Sequence, residues 1–404
     1  MRDEPLTPAD RAARAASGTI LVSAQSHFGG IAEHAHYQAQ ELARRGFDVV
    51  MLCHRDHLLR PTAPLYRRIP GLRRSRRKGF LGRLVAVAAM AFNFWLLAWH
   101  MVRLQPRFVL LDAASEYFAP LWAWPHILLH ATGRIYLANL HDPVRSRHFG
   151  PEWLHRWSLR LIYALLDGGL VHGPVPAEAG LPASLALGLA PLGPFEDTYS
   201  HPASPDLRQR FGIPATAPLV LSFGHVADRK NLDLLIEALA DFPQVHLLVA
   251  GASIGSTQKQ VGDYRAQAQR LGLADRVHFD DRFVADADIP SCFAAADLVA
   301  LTYRSDFVSQ SGVLQHAVAF QRPVLVSCGP GPLRATMESF ALGELVEPDS
   351  VNAIADGLAR MLAKPENRAA AFSAYAEASS WRANIDALLR LEEKVRDQRA
   401  MPAS

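Results

Sequence analysis

Short apolar runs alternate with amphipathic stretches along most of this chain. The first run, Thr19–Ser23, precedes a helical pattern from Ile31 to Arg45, and Gly46 stands where a helix commonly ends. Similar runs predict further strands at Asp48–Cys53, Phe108–Leu111, Ile135–Leu140 and Gly169–Val171. Strands separated by helices pair in parallel, so the pattern indicates a sheet covered on both faces.

The alternation is interrupted at the Pro- and Gly-containing segment Pro191–Phe195 and at the Ser-, His- and Pro-rich stretch Tyr199–Pro205, where we place a linker. A second alternation of strands and helices follows. It predicts strands at Leu219–Gly224, His246–Ala250, Val277–Phe279, Leu298–Leu301 and Val324–Ser327, and helices at Leu232–Leu239, Tyr264–Leu271, Ile289–Ala295, Gly312–Phe320 and Val351–Leu362. The final stretch, Trp381–Arg399, reads as a helix whose packing partner the local pattern does not identify.

The expected architecture is therefore α/β, with two doubly wound, Rossmann-like domains facing each other across a cleft. We expect a tail over residues 1–17, a first domain over 18–195, a second over 206–380 and a terminal helix and tail over 381–404. In such sheets ligands bind beyond the carboxyl ends of the strands, which makes that edge of each domain the expected site.

Composition excludes several classes of protein. Half of the 404 residues are hydrophobic and 20% are charged, so a disordered chain is excluded. The net charge of +3 predicts no nucleic-acid partner. The three cysteines, Cys53, Cys292 and Cys328, have neither disulfide nor zinc spacing and predict a reducing cytoplasm. The charged, alanine-rich residues 1–17 are expected to be a frayed tail rather than a signal peptide.

One segment resembles a membrane span. Residues Leu84–Trp99 are apolar apart from Asn93, and a basic run precedes them: Arg67, Arg68, Arg73, Arg74, Arg76, Arg77 and Lys78. Three interpretations stay open: a bilayer span, which needs about 20 apolar residues; a helix covering a sheet, with a solvated basic loop; or a peripheral contact. In the third, which we favour, Arg67–Lys78 and the nearby apolar side chains Phe80, Leu81 and Trp95 hold the chain on an anionic membrane.

Two glycine-containing loops are candidates for binding an anion or a sugar. His27, Gly29 and Gly30 lie between the first strand and the first helix, where backbone N–H groups can approach a ligand closely. An ordinary tight turn is the alternative. The full G-x-G-x-x-G pattern is absent and no acidic residue ends the next strand, which argues against NAD.

In the second half, Ser309–Val313 opens a helix and offers exposed amides to an anion. An ordinary serine N-cap is the alternative. Lys230, which follows Gly224 and His225 after the first strand of this half, could face the same anion, or it could be a surface lysine.

His141 ends a strand of the first half, where it could donate to a sugar hydroxyl or simply cap the turn. The chain has no HExxH, CxxC pair, Walker A loop or GxSxG, so hydrolytic triads and metal-dependent hydrolysis lack support.

Together these residues resemble the retaining glycosyltransferases of family 4, which have the GT-B fold. The resemblance runs from about Thr19 to Leu362. Its strongest part is Phe223–Leu239, which is similar to the family's G-R-x5-K-(G/N)-x-D-L-L-I-E-A-L region. The order of the remaining pieces also follows the family: Gly29–Ile31, Leu42–Val50, Arg270–Phe279, Ile289–Pro290, Ala294–Leu298, Ser311–Leu314 and Ala319–Val324.

The resemblance implies transfer of a sugar from a UDP- or GDP-sugar to a glycan or lipid-linked acceptor, with no metal and no further cofactor. The acceptor would enter at His27, Gly29 and Gly30. Catalytic roles would fall to His141, Lys230 and Asp306. The donor would contact a larger set in the second domain, namely His225, Lys230, Ser309, Gln310, Ser311, Gly312, Val313 and His316. The implied location is the cytoplasm, with peripheral attachment to the inner face of the plasma membrane.

Two departures from the family pattern keep other functions open. The family usually has arginine where His225 stands, and glutamates where Val308 and His316 stand. Asp306 could replace the first glutamate, and His316 could hydrogen-bond the donor ribose. A catalytically silent sugar-nucleotide-binding or partner-binding protein and a sugar-nucleotide epimerase are the alternatives, and neither the sugar nor the base of the donor can be predicted.

Overall fold

The computed structural model describes residues 18–58, 64–75, 77, 79–113, 117–141, 143, 151–175, 179–253, 258–363 and 366–400. The chain divides into two compact units. One runs up to Pro191 and resumes at Trp381, and the other comprises Leu192–Ser380.

The first unit is built on a parallel sheet. Over the described residues its strand order is β3-β2-β1-β4-β5-β6-β7. The strands are β1 (Thr19–Ala24), β2 (Asp48–His54), β3 (Arg67–Leu72), β4 (Phe108–Leu111), β5 (Tyr136–Asn139), β6 (Gly168–Val171) and β7 (Ala186–Leu189). The helices between them are α1 (Gly29–Arg44), α2 (Gly79–Leu104), α3 (Ala123–Ala131) and α4 (Glu152–Leu165).

The second unit has the same plan, with strand order β10-β9-β8-β11-β12-β13 over its described residues. Its strands are β8 (Leu219–Phe223), β9 (His246–Ala250), β10 (Val277–Asp280), β11 (Leu298–Thr302), β12 (Val324–Ser327) and β13 (Gly343–Val346). Its helices are α5 (Glu196–Tyr199), α6 (Leu207–Arg210), α7 (Leu232–Ala238), α8 (Val261–Arg270), α9 (Ile289–Ala295), α10 (Gly312–Ala319), α11 (Pro332–Ser339), α12 (Val351–Ala363) and α13 (Ala369–Ala378).

The last helix, α14 (Trp381–Ala400), packs on the first unit, against α1, β6 and β7. Asn384 fixes it at one end by donating to the Pro191 carbonyl at 2.6 Å and accepting from Gln38 at 2.9 Å. Leu391 lies so close to the sheet that a Cβ at Gly168 or Gly188 would stand 3.1–3.2 Å from its side chain. This is the packing partner that the sequence pattern does not identify.

Helix α2 is longer than the apolar run that predicts it. By length and composition it is the one described helix that could cross a membrane, with a mean hydropathy of 1.8 over its most apolar window. Its C-terminal half packs Phe94, Leu97 and Met101 into the core beside β1 and β4. Its N-terminal half is largely exposed, so the helix covers the sheet with only part of its length.

The loop predicted for the basic run is partly a strand, because Arg67 and Arg68 open β3. Arg67 pairs with Asp48 at 2.8 Å, and Arg74 pairs with Asp56. Arg76 and Lys78 lie outside the described residues. Membrane attachment through Arg67–Lys78 stays a prediction, and Arg67 and Arg74 would have to act from within these ion pairs.

The contact between α14 and the first sheet predicts a stability effect. We expect Leu391→Ala to destabilise the first unit by about 2–5 kcal/mol, because it removes a fully buried side chain between two strand glycines. Denaturant unfolding followed through hydrogen exchange of first-sheet amides measures it. Exposed Glu393 gives the control, since Glu393→Ala should change stability by less than about 0.5 kcal/mol. Equal effects of the two substitutions would contradict this role for α14.

Candidate functional site

Lys230 and the start of α10 come together at Gly224, directly after β8. The chain turns there with Gly224 at φ +84°, a conformation that glycine adopts without strain. A Cβ at this position would lie 3.5 Å from Lys230 Nζ and 3.7 Å from a Val313 methyl group. Gly224 therefore leaves room for an ammonium and a helix N-terminus at the same strand end.

The ammonium of Lys230 is enclosed, and it donates to the Phe223 carbonyl oxygen. Burial, with a smaller effect of the neighbouring Arg229, lowers the pKa of Lys230 to about 7. The short turn that carries it is fixed to the end of β11, because Thr302 Oγ1 donates to the Lys230 carbonyl at 2.8 Å. The side chain thus stands in a fixed place and would gain from an arriving anion.

Side chains hold the loop before α10 in place. The hydroxyls of Ser311 and Tyr303 are 2.9 Å apart, and the Ser311 N–H donates to Gln310 Oε1 at 2.9 Å. The amides of Gly312 and Val313 open the helix, where no intrahelical acceptor exists for them. Of the predicted Ser309–Val313 segment, Ser311 and Gln310 shape the loop, and contact of the Gly312 and Val313 amides with an anion stays a prediction.

His316 lies in apolar surroundings. Its ring is buried, with the rings of Phe195, Tyr199, Phe223 and Phe293 within 5.1–5.8 Å of it. Burial lowers the pKa of His316 to about 3, so the imidazole is neutral. Its Nδ1 has no hydrogen-bond partner among the described residues. A ribose contact from this core position stays a prediction.

Two further predicted donor residues are exposed. His225 follows Gly224, and its pKa is lowered by partial burial and by the cations Lys230 and Arg229. Asp306 lies in the exposed turn after β11. The structure places both in loops that follow adjacent strands, and their contacts with a donor stay predictions. Ser309, in the same loop as Asp306, is partly buried.

The first-unit glycine loop is open. Gly29 has φ +77°, and a Cβ at Gly29 or Gly30 would meet nothing within 4 Å. Its neighbour His27 contacts the Arg74 guanidinium through Nε2. The loop has space for a ligand, as the sequence predicts, whereas His27 is engaged with the basic run.

His141 has both ring nitrogens engaged. Nε2 lies 3.0 Å from the Asp112 carbonyl oxygen, and Nδ1 lies 2.8 Å from His172 Nε2. Burial, with a smaller effect of His172, lowers the pKa of His141 to about 3. The expected donation to a sugar hydroxyl stays a prediction, and it requires one of these contacts to break first.

Asp112 is a buried acid beside His141 that the sequence prediction did not include. It is buried directly after β4, where its Oδ2 accepts from the Ser26 N–H at 2.9 Å and burial raises its pKa to about 7. The signal available was an acid at the end of the apolar run Phe108–Leu111. His34 and His172, which adjoin His141, were missed as well, because no sequence spacing connects the three.

The family described as glycosyl transferases group 1 matches residues 203–379. Among curated proteins, the chain is 32% identical over 194 residues to the D-inositol 3-phosphate glycosyltransferase of Mycolicibacterium smegmatis, which covers 48% of this chain and 44% of that protein. It is 31% identical over 136 residues to the mannosylfructose-phosphate synthase of Agrobacterium fabrum, covering 32% of this chain and 29% of that protein. The chain thus spans less than half the length of these relatives.

Solved structures resemble the chain over nearly its whole length. Sucrose-phosphate synthase from Thermosynechococcus elongatus aligns with a TM-score of 0.69 and 20% identity, covering 94% of this chain and 99% of that one. Anabaena HepE in complex with UDP and glucose aligns with a TM-score of 0.67 and 21% identity, covering 95% and 99%. These likenesses confirm the predicted α/β, GT-B fold.

The position of Lys230 predicts pH-dependent anion binding. We expect Lys230→Ala to weaken pyrophosphate binding by about 10- to 100-fold near pH 7, because a charge-assisted hydrogen bond is lost. Since the pKa of Lys230 is about 7, the ammonium is depleted as pH rises, and binding must then take up a proton. The ratio of wild-type to variant affinity should therefore shrink between pH 7 and pH 9, as measured by calorimetry.

Lys259 supplies the matched control for this measurement. It is exposed and pairs with Asp233 at 2.6 Å, so Lys259→Ala should leave pyrophosphate affinity and its pH profile unchanged. A ratio that stays constant across this pH range would contradict the lowered pKa of Lys230, and equal losses in both variants would contradict its place in the site.

Proposed function

We propose that this chain, whose residues 203–379 match the glycosyl transferases group 1 family, is a retaining, metal-independent glycosyltransferase. It moves a sugar from a UDP- or GDP-sugar to a glycan or lipid-linked acceptor. The observation that carries the proposal is the meeting of the Lys230 ammonium with the opening of α10 at Gly224. A UDP-sugar is the favoured donor, because the structurally similar Anabaena HepE has been solved in complex with UDP-glucose.

This arrangement suits a leaving diphosphate. Breakage of the glycosyl–phosphate bond leaves negative charge on the diphosphate, and fixed donors aimed at that charge stabilise the transition state. The Lys230 ammonium and the amides of Gly312 and Val313 would supply such donors. Because these groups provide positive charge and hydrogen bonds, the proposed transfer requires no metal at the diphosphate.

Retention of anomeric configuration follows from the family resemblance. In that reaction the acceptor oxygen bonds to the anomeric carbon on the face that the diphosphate leaves, and the acceptor proton passes to a phosphate oxygen. No protein nucleophile is needed. The open loop at Gly29 and Gly30 offers the acceptor a place in the first unit.

A sugar-nucleotide-binding protein without turnover is the second candidate. The observation that favours it is the burial of neutral His316 among aromatic rings, at the position where the family has a glutamate. Such a protein would bind a donor through Lys230 and α10 and release no nucleotide diphosphate.

Transferase activity provides the decisive experiment. With lipid-linked or glycan acceptors present, we expect release of UDP or GDP, and a product that keeps the donor's anomeric configuration by NMR. Lys230→Ala should lower turnover by about 100-fold or more, whereas Lys259→Ala should not. Omitting Mg²⁺ and Mn²⁺ from the assay should leave turnover intact. A thermal-shift screen with UDP, GDP and ADP identifies the base, since a bound ligand raises apparent stability.

The outcomes separate the candidates. Donor binding without turnover over a broad acceptor panel would favour the silent binding protein, and conversion of the donor sugar without any acceptor would favour an epimerase. A requirement for added Mg²⁺ or Mn²⁺ would contradict metal independence at the diphosphate.

We further propose a cytoplasmic location with attachment to an anionic membrane. The three cysteines are free and buried, which fits a reducing compartment. Attachment would use an aromatic face formed by the sides of α2, α3 and α4 that point away from the sheet. Its exposed large hydrophobic residues on these helices are Phe80, Leu81, Leu84, Val85, Phe92, Trp95, Trp99, Val102, Trp124, Leu128, Trp153 and Trp157, and Leu121 adds to them from the segment before α3.

Contacts and charge both support this surface. The indole N–H of Trp95 donates to the Leu121 carbonyl at 3.4 Å, which connects α2 to the segment before α3. The three helices contain the exposed cations Arg83, Arg103 and Arg160. A fourth, Arg156, pairs with Glu152, the single acid in their sequences. A cationic, tryptophan-rich surface complements an anionic interface.

Apolar side chains would contribute more free energy to this attachment than the arginines. Burying one large apolar side chain contributes about 1.5–3 kcal/mol, and each cation near an anionic leaflet about 1 kcal/mol. A few inserted rings therefore outweigh the arginines. The buried Phe94, Leu97 and Met101 keep α2 on the sheet, so we propose contact along the surface rather than a span.

Vesicle sedimentation tests the aromatic face. We expect wild-type protein to bind vesicles rich in phosphatidylglycerol more tightly than phosphatidylcholine vesicles, with binding reduced but retained at high salt. The double variant Phe80→Asp with Leu81→Asp should lose binding by at least about tenfold. Phe283→Asp, at an exposed position of the second unit, and Arg67→Ala should bind as wild type. Unaltered binding by the double variant, or a dimer in solution that buries this face, would contradict the proposal.

A further inference from the structure

Three histidines of the first unit converge although their sequence positions are far apart. His34 lies on α1, His141 follows β5 and His172 follows β6; together we call them the histidine cluster. One ring nitrogen from each lies within 4.8 Å of the other two. The Trp381 ring packs against His34, with ring centroids 5.0 Å apart.

His141 and His172 point two nitrogen lone pairs at each other if both rings are neutral. His141 Nε2 is 3.0 Å from the Asp112 carbonyl oxygen, and His172 Nδ1 is 2.9 Å from the Ala190 carbonyl oxygen. A carbonyl only accepts, so both of these nitrogens must be N–H donors. In neutral imidazoles the two remaining nitrogens, 2.8 Å apart, then both carry lone pairs. A proton or a metal ion between or beside these nitrogens relieves the repulsion between the two lone pairs.

His34 supplies the second observation. Its side chain is fully buried, and neither ring nitrogen has a hydrogen-bond partner among the described residues. The Asn139 amide lies close enough to influence the ring, but it already exchanges hydrogen bonds with Gln38 at 2.8 and 3.1 Å. A buried imidazole left in this way costs free energy unless a ligand takes its lone pair. A proton shared by His141 and His172 would leave His34 unpaired.

We infer that the histidine cluster binds a divalent transition-metal ion, with Zn²⁺ as the best fit. Neutral imidazoles are ligands for this class of ion. The backbone carbonyls of Asp112 and Ala190 would accept the outer N–H groups, which is the usual support of metal-bound histidines. Zinc–nitrogen bonds of about 2.0–2.1 Å in a tetrahedral site separate ligand nitrogens by about 3.3 Å, so small ring movements suffice.

The inferred metal goes beyond the proposed transfer, which uses none. It would fix the His141 ring in the first unit, with water left to complete the coordination. Because metal binding is measured on protein without donor or acceptor, failure of this inference leaves the proposed activity untouched, and the reverse also holds.

Titration with the metal alone tests the inference. We expect one tight Zn²⁺ site per chain by calorimetry and a rise in melting temperature, and Co²⁺ should give the visible absorption of tetrahedral nitrogen coordination. His34→Ala and the bulk-preserving His34→Gln should each lower affinity by about 100-fold or more, a larger loss than the 10- to 100-fold typical of supporting residues.

The control uses the other close histidine pair of the described structure. His246 and His278 stack in the second unit with ring nitrogens 3.0 Å apart, so His278→Ala tests for adventitious binding and should leave the tight site intact. Circular dichroism without metal verifies that each variant folds. Absence of a one-to-one site in wild-type protein, or equal affinity in His34→Gln, would overturn the inference.

Discussion

The enclosed ammonium of Lys230 is the constraint on which the candidate site depends. Removing a cation from water is unfavourable unless an anion pairs with it. The Lys230 ammonium instead donates to a neutral group, the Phe223 carbonyl. Its pKa of about 7 expresses that cost. The rest of the second unit keeps the ammonium in place, through the bond between Thr302 and the Lys230 backbone and through the absence of a side chain at Gly224. In the proposed function, a bound diphosphate would supply the negative charge that the Lys230 ammonium lacks, at the position where charge would develop.

Much of the fold could be predicted from sequence because central parallel strands are buried on both faces. Such strands read as continuous apolar runs, and β8, β9 and β12 were placed to within a residue. The strands that escaped prediction, β3, β7 and β13, lie at sheet edges. An edge strand is half solvated, so it tolerates the arginines of β3 and the glycine of β7, and the apolar pattern fades.

The candidate site divides in the same way. Lys230, Gly312 and Val313 could be found from sequence because a glycine turn, a cation and a helix start each have a local signature. The neighbours that decide their chemistry have none. The Tyr303 and Ser311 hydroxyls form a hydrogen bond, and the Ser311 N–H donates to the Gln310 side chain, only because the loop folds back on itself. Likewise, strand order and the position of α1, rather than spacing, bring histidines to His141.

Helix α2 shows how one sequence signal can conceal two structural roles. Its apolar run is shorter than a bilayer span requires, yet it is apolar on every side of the helix. One side packs into the core, and the other side is exposed. A soluble domain rarely leaves so many large rings in water. The neighbouring helices α3 and α4 add tryptophans to the same side of the sheet, and the charges among them are nearly all positive. The arginines of β3 bind partners within the protein: Arg67 pairs with Asp48, and Arg68 donates to the His57 carbonyl. Attraction of the aromatic face to an anionic surface would therefore come from the arginines on α2 and α4. In the proposed attachment the apolar and charged contributions would act at one place, an arrangement suited to holding a globular unit on a bilayer without crossing it.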